Sequence, residues 1–178
     1  MAIYHSLRIG KNGVPFYLLK IKTMKESGGI PTSSMNDTRL TKWGKWLRRY
    51  KIDEIPTLWN LIKGDITICG ARPDTPDEIG TLSKETRDLI YKYKPGIISP
   101  ATLWNQYEDE TLSAKENPHE YYTKVIKPVK YYLNTWYIRN KTPWLDIKIL
   151  IAYCLKFIRL PYLWLNIYPY GFYGRISK

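Results

Sequence analysis

Residues 51–73, KIDEIPTLWNLIKGDITICGARP, constrain the fold more than any other part of this chain. Pro56 fits an early helical position, and Leu58, Trp59, Leu61 and Ile62 give the following run an apolar side. Gly64 can close that helix in a left-handed C-cap, and residues 66–69 read as a short strand. Gly70-Ala71-Arg72-Pro73 is then a stiff turn that fixes where one guanidinium points. Helix, turn and strand in such quick succession demand a mixed architecture. Asp53 and Glu54 stand at the start of the helix, where free N–H groups and the positive dipole end attract phosphate and favour an ionised carboxylate. An ionised aspartate can attack phosphorus, and its neighbour can hold a magnesium ion or move a proton. Arginine's planar fork suits two phosphate oxygens at once. The plainer alternative is a helix cap with dipole-matched charge, followed by an ordinary turn.

The rest of the chain reads as an α/β (α+β) fold. It is a single compact domain with a small N-terminal β-hairpin or sheet and several amphipathic helices suited to a membrane surface. Residues 7–24 form a hairpin turning at Asn12-Gly13, with Pro15 confining its strand to an edge or a bulge. Residues 27–36, SGGIPTSSMN, are a polar loop and the most flexible interior segment. Asp37 or Thr38 caps a helix with Leu40, Trp43 and Leu47 on one side and Arg39, Lys42, Lys45, Arg48 and Arg49 around the rest. Such a helix either packs on a core with its basic face solvated, or lies on anionic lipid with its tryptophans at the acyl boundary.

Asn117-Pro118-His119-Glu120 opens a helix over Tyr121, Val125 and Ile126, and Thr142-Pro143 opens another carrying Ile147, Leu150, Ile151, Cys154 and Ile158. Dipole matching accounts for Asp146 in the first turn of the latter, unless the fold brings it to the site. Glu108-Asp109-Glu110 either approaches a metal or, the reading preferred, is an exposed acidic loop; His5 and His119 read as non-catalytic, and Cys69 and Cys154 as buried packing without metal spacing. Residues 1–158 make the domain. Residues 159–178 are an aromatic-rich extension that either packs across it or offers an interfacial patch.

The formal net charge of +12 over 178 residues implies an anionic partner: a nucleotide diphosphate, a polyprenyl phosphate, acidic headgroups or nucleic acid. Sixteen tyrosines and seven tryptophans suit a headgroup layer as well as a core. No apolar run reaches the roughly 18 residues a transmembrane helix needs, and the N-terminus has no apolar signal-peptide core. A nucleic-acid-binding module remains an alternative on charge and aromatics alone, although no recognised binding motif supports it.

Several segments, in order and at family spacing, resemble the bacterial sugar transferases, the catalytic domain of the monotopic phosphoglycosyl transferases. They are residues 8–16 (RIGKNGVPF), 19–24 (LKIKTM), 37–49 (DTRLTKWGKWLRR), the Asp53-Glu54 segment and 70–73 (GARP). Residues 94–101 (KPGIISPA), 117–122 (NPHEYY) and 144–148 (WLDIK) continue the match. Ala71 stands where proline is more common in the family, and Lys22 where arginine is. The resemblance implies transfer of a sugar-1-phosphate from a UDP-sugar to polyprenyl (undecaprenyl) phosphate, with release of UMP. Asp53 would be the nucleophile of a covalent phosphosugar intermediate, and Glu54 its partner in proton handling. Both carboxylates would hold Mg2+, and Arg72, Lys20, Lys22 and Pro73 would surround the substrate phosphates. Nucleic acid is not an expected partner.

Family members carry an N-terminal re-entrant membrane hairpin, and this chain begins about where the first strand after it would start. The expectation is therefore peripheral attachment at the cytoplasmic face of the bacterial inner membrane. A separate anchor polypeptide or a homo-oligomer would assist it. The remaining alternative is a truncated or regulatory family member that depends on another enzyme.

Overall fold

A tight turn at Asn12 and Gly13, with φ of 58° and 79°, starts the fold by reversing the chain. Both values are left-handed, the geometry that matches two right-twisted strands. The computed structural model describes residues 2–25, 35–105, 108–158, 160–161, 165–170 and 172. Strands β1 (Ile3–Ile9) and β2 (Pro15–Ile21) pair antiparallel from Ile3 opposite Ile21 to Ile9 opposite Pro15. The hairpin thus starts earlier than residue 7. Pro15 sits at its turn end, in a two-stranded ribbon where every strand is an edge.

Helix α1 (Lys42–Arg49) starts later than expected. Its cap is Thr41, whose hydroxyl accepts from the Gly44 N–H at 2.8 Å. Asp37 is instead taken by the Arg39 guanidinium at 2.7 Å, and Leu40 pairs with Met24 as extended backbone. Leu47 turns inward, while Trp43, Trp46 and Tyr50 are exposed in a row along the outside, Trp43 and Trp46 in a T-shaped pair and Trp46 tilted against Tyr50.

A single 3-10 turn, Ile52–Glu54, leads into helix α2 (Thr57–Lys63), which Gly64 ends with a φ of 77°. The inward face of α2 is polar, against expectation. The Thr57 hydroxyl donates to the Leu19 carbonyl at 3.0 Å. The Asn60 amide accepts from the Leu19 N–H at 2.9 Å and donates to the Tyr17 carbonyl at 2.8 Å. These side chains answer the unpaired backbone of β2, which would otherwise be left without partners. Leu58, Trp59 and Ile62, the expected packing side, are therefore exposed, Ile62 at 75%.

Strand β3 (Thr67–Cys69) follows, then helices α3 (Pro76–Gly80) and α4 (Lys84–Tyr91) and strand β4 (Gly96–Ile98). β3 and β4 pair in parallel, Thr67 opposite Gly96 and Cys69 opposite Ile98. Two glycines meet where the pair ends: a Cβ on Gly70 would lie 2.7 Å from the Gly96 nitrogen. That closeness lets the Gly70–Pro73 turn leave the sheet against the start of β4.

Helices α5 (Pro100–Trp104), α6 (Glu108–Ser113) and α7 (Pro118–Tyr121) precede a π-helical turn (Tyr122–Ile126) that runs into α8 (Lys127–Arg139). Helix α9 (Pro143–Phe157) closes the series. Asn117 and Thr142 cap α7 and α9 as the sequence predicts. The core gathers Ile90, Ile98, Leu103, Tyr137, Ile149 and Ala152.

α9 buries Leu145, Ile149 and Ala152 rather than the predicted stripe: Ile147, Leu150, Ile151 and Ile158 face outward, as does Cys154. Only Cys69 of the two cysteines is buried. Of the C-terminal extension, Leu165 and Ile167 enter the same core, and Phe172 stacks on Tyr168 at 5.2 Å. Most of the polar loop at 27–36 lies outside the described residues, but the Met35 N–H bonds Ser113 Oγ at 2.8 Å. No helix among the described residues is long and apolar enough to cross a membrane.

Candidate active site

The β1–β2 ribbon, the 3-10 turn, the Arg72 turn and helices α5 to α8 enclose a cleft of about 660 Å³. Asp53, Glu54, Lys20, Lys22, Arg72 and Pro73 all line it. Glu54 is held from two directions. Lys20 Nζ donates to Oε1 at 3.1 Å, and the Arg72 guanidinium donates to both carboxylate oxygens. Burial opposes ionisation of Glu54, but Arg72 and Lys20 outweigh it and keep the carboxyl well below its usual range. Glu54 in turn holds the Arg72 guanidinium above its ordinary value.

Asp53 is treated differently. It is only 7% exposed, and its Oδ1 has no hydrogen-bond partner among the described residues. Burial, and then the charge of Glu54, raise its pKa. That is opposite to the lowering expected from a helix N-terminus. The carboxylate sits in a 3-10 turn ahead of Pro56, so desolvation decides the direction. Two adjacent carboxylates are thus differentiated: Glu54 neutralised by cations, and Asp53 buried with one oxygen unanswered.

Lys22 lines the cleft but makes no ion pair among the described residues, and Pro73 offers its carbonyl to Arg8 Nη1 at 3.2 Å. Glu108 and Asp109 are not in an exposed loop: they open α6 on the cleft wall, Asp109 lying 3.7 Å from Arg48. His119 also lines the cleft, while His5 lies on the ribbon 6.1 Å from the Tyr17 ring. Asp146 stays away from the cleft, accepting from the Tyr137 hydroxyl at 2.6 Å and Lys141 at 3.1 Å.

A second charged cluster was not foreseen. Asp74 is buried and accepts from Lys130 at 2.7 Å and from the Tyr91 hydroxyl at 2.8 Å. Glu78 accepts from Tyr122 at 2.5 Å and lies 3.8 Å from Lys130 and 4.0 Å from Arg8. Asp74 follows Arg72-Pro73 directly, a signal available in the sequence; Lys130, in the middle of α8, carries none.

Among the described residues, no group of three or more His, Cys, Asp or Glu side chains is placed to hold a metal. A cation here could take two carboxylates at most, with the remaining ligands supplied by substrate and water, the usual way magnesium is bound beside phosphates.

The buried oxygen of Asp53 has a measurable consequence. A raised carboxyl pKa means that the ionised form is less favourable in the fold than in the unfolded chain. The penalty is absent below the unfolded value, about 3.9, and complete once pH exceeds the folded value. Asp53→Asn is therefore expected to stabilise the protein by on the order of 1 kcal/mol at pH 7.5, or about 2–4 °C in melting temperature, with the gain vanishing near pH 4. Thermal melts at both pH values test this, and a variant that melts lower than wild type at pH 7.5 would contradict it.

Residues 1–159 match the bacterial sugar transferase family, and the chain belongs to that family. It is 30% identical over 84% of its length to a galactosyl transferase, CpsE, of Streptococcus agalactiae, covering 33% of that protein. It is 33% identical over 83% of its length to an uncharacterised sugar transferase, EpsL, of Bacillus subtilis, covering 65% of it. It is also 29% identical over 84% of its length to an undecaprenyl-phosphate galactose phosphotransferase of Salmonella typhimurium, covering 32% of that chain. The chain therefore spans about a third of the length of two of these relatives and about two thirds of the other.

Proposed function

We propose that this chain carries a phosphoglycosyl transferase activity, moving a sugar-1-phosphate from a UDP-sugar to polyprenyl phosphate in the first membrane step of surface glycan assembly. The observation that carries the reading is the asymmetry of the dyad: a buried aspartate with one oxygen free beside a glutamate fixed by Lys20 and Arg72. In the first step an Asp53 carboxylate oxygen forms a bond to the sugar-bearing phosphorus. The bond from that phosphorus to the bridging oxygen breaks, and UMP leaves with the electron pair. In the second step an oxygen of the lipid phosphate attacks the same phosphorus and Asp53 departs as a free carboxylate. Glu54 orients Lys20 and Arg72, which face the diphosphate and balance its charge.

Asp53 and Glu54 are also the groups that would hold Mg2+, which when bound supplies charge neutralisation on the diphosphate. Membrane contact is supported by the residues flanking the dyad. Trp43, Trp46 and Tyr50 on one side and Ile55, Leu58, Trp59 and Ile62 on the other are exposed, a pattern suited to the headgroup boundary. With the net charge of +12 they favour attachment to an anionic surface, which we place at the cytoplasmic face of the inner membrane. Residues 159–178 are read as an extension of the catalytic domain, of which Leu165 and Ile167 enter the core.

The test is to incubate the protein with magnesium, polyprenyl phosphate and a panel of UDP-sugars and to measure UMP. Wild-type protein is expected to release UMP with at least one of them. Arg72→Lys keeps the charge but loses the fork, so turnover should fall at least about tenfold, roughly 1.4 kcal/mol of transition-state stabilisation. Unchanged kinetics would reduce Arg72 to a turn residue, and no UMP from any UDP-sugar would remove the reading altogether.

A further inference from the structure

The cleft wall also carries groups that are neither the dyad nor its cations: Thr102, Trp104 and Asn105 of and after α5, Glu108 at the start of α6, Asn134 of α8 and Tyr153 of α9. The cations that act on Glu108 are already committed, Lys130 to Asp74 and Glu78 and Arg72 to Glu54. What remains is not phosphate chemistry. It is a carboxylate, two amides and aromatic rings.

Two of these groups are incompletely answered. Asn134 is fully buried; its Oδ1 accepts from the Ser99 hydroxyl at 3.3 Å, while its Nδ2 has no partner among the described residues. Turning the amide over would only exchange which of its atoms is left over. Glu108 has a single partner among the described residues, Asn105 Nδ2 at 2.9 Å on Oε2, and no cation pairs with it. A buried donor and a largely desolvated carboxylate are both costly to leave unmet, so ligand or water must answer them. Asn134 reaches the first residues of α5 through Ser99, and Glu108 is tied to its last turn through Asn105, so both groups are anchored on the same short helix.

We propose that Glu108 and Asn134 form the sugar subsite, Glu108 accepting from a hexose hydroxyl and Asn134 donating to a hydroxyl or acyl oxygen. Trp104 and Tyr153 supply the flat walls against which a pyranose rests. Carboxylates and amides suit this task because a sugar offers donors and acceptors but no charge, and a site built to bond a hydroxyl discriminates strongly against an epimer lacking it there. The inference rests on the sugar-transfer reading and assigns which residues choose the sugar. Glu108 and Asn134 are positioning and specificity residues, since neither stands beside Asp53 in the dyad.

The test measures affinity without turnover, by calorimetric titration of UDP, UDP-glucose, UDP-galactose and UDP-N-acetylglucosamine with magnesium present. Glu108→Gln, which keeps shape and removes the charged acceptor, should leave UDP affinity unchanged and weaken the preferred UDP-sugar about tenfold. Asn134→Leu, checked for a native melting transition, should likewise weaken the sugar conjugate and spare UDP. Rescue of discrimination among the sugars by Glu108→Asp, but not by Glu108→Gln, would further support a hydroxyl acceptor. Equal losses for UDP and UDP-sugars would overturn the proposal by placing Glu108 at the nucleotide or its cation. No change for any ligand in either variant would make both residues plain wall. Failure of wild-type protein to bind any of the four would instead remove the sugar-transfer reading on which the subsite rests.

Discussion

Asp53→Asn is expected to reduce UMP release by roughly 10⁴-fold or more, the scale at which losing a covalent nucleophile leaves only binding and electrostatic catalysis. The substitution preserves shape and removes the attacking charge. Because Oδ1 is buried and unpaired, it also relieves a desolvation cost, so lost activity cannot be charged to unfolding. Mass spectrometry supplies a second readout. Wild-type protein given a UDP-sugar and no lipid acceptor should gain the mass of one sugar phosphate, on a peptide containing Asp53, and the variant should gain nothing. Wild-type-like turnover by the asparagine variant would sink the assignment. A mass gain on another residue would move the nucleophile elsewhere.

The opposite treatment of the two carboxylates explains why the pair is not redundant. Glu54 is ionised at every physiological pH because Arg72 and Lys20 outweigh its burial. It thereby holds two cations in place. Among the described residues Asp53 has no such partner on Oδ1, and the cost of ionising it in a desolvated setting can be recovered when the oxygen meets phosphorus or a cation. An oxygen that is badly solvated in the resting protein is a better nucleophile than one already hydrogen bonded.

Much of this was legible in the sequence because the site is local. Asp53, Glu54 and Arg72 lie within twenty residues, separated by a helix and a strand whose stops, Gly64 and Gly70, are visible in the chain. The Asn12-Gly13 turn and the caps at Asn117 and Thr142 were legible for the same reason: each depends on neighbours a few residues away.

What the sequence concealed was direction. The 3.6-residue period of α2 identifies an apolar face, but not whether it meets protein or the outside. The backbone of β2, far away in the chain, demanded Thr57 and Asn60 instead. α9 poses the same ambiguity: its Ile147, Leu150 and Ile151 face outward while Leu145, Ile149 and Ala152 face the core. The α1 cap was misplaced because Asp37 had a nearer use, its bond to Arg39. Glu108 looked like solvent-facing charge because nothing local shows that α6 opens onto a cleft.

Lys130→Met should produce the largest loss of stability. Lys130 and Asp74 are 56 residues apart and meet at 2.7 Å, with the carboxylate side chain 1% exposed. Removing the ammonium leaves Asp74 with the Tyr91 hydroxyl as its remaining side-chain donor among the described residues, and strips Glu78 of a neighbouring cation. Breaking one side of a buried pair costs about 3–5 kcal/mol, because the surviving charge stays desolvated. At about 2–4 °C per kcal/mol for a chain of this size, the melting temperature should fall by about 10 °C.

Asp74 and Glu78 hold the lysine well above its usual pKa in spite of burial. A raised cation contributes stability that is complete below the unfolded value and lost only as pH rises through the folded one, so the deficit should be the same at pH 6 and pH 8. Adding Asp74→Asn to the methionine variant removes the orphaned charge and should restore at least half of the loss, since an amide can still accept from Tyr91. A single variant melting within about 2 °C of wild type would show that the pair is not desolvated. A double variant no better than the single would show that packing of the lysine stem, and not charge, holds α8 against the Pro73–Asp74 turn.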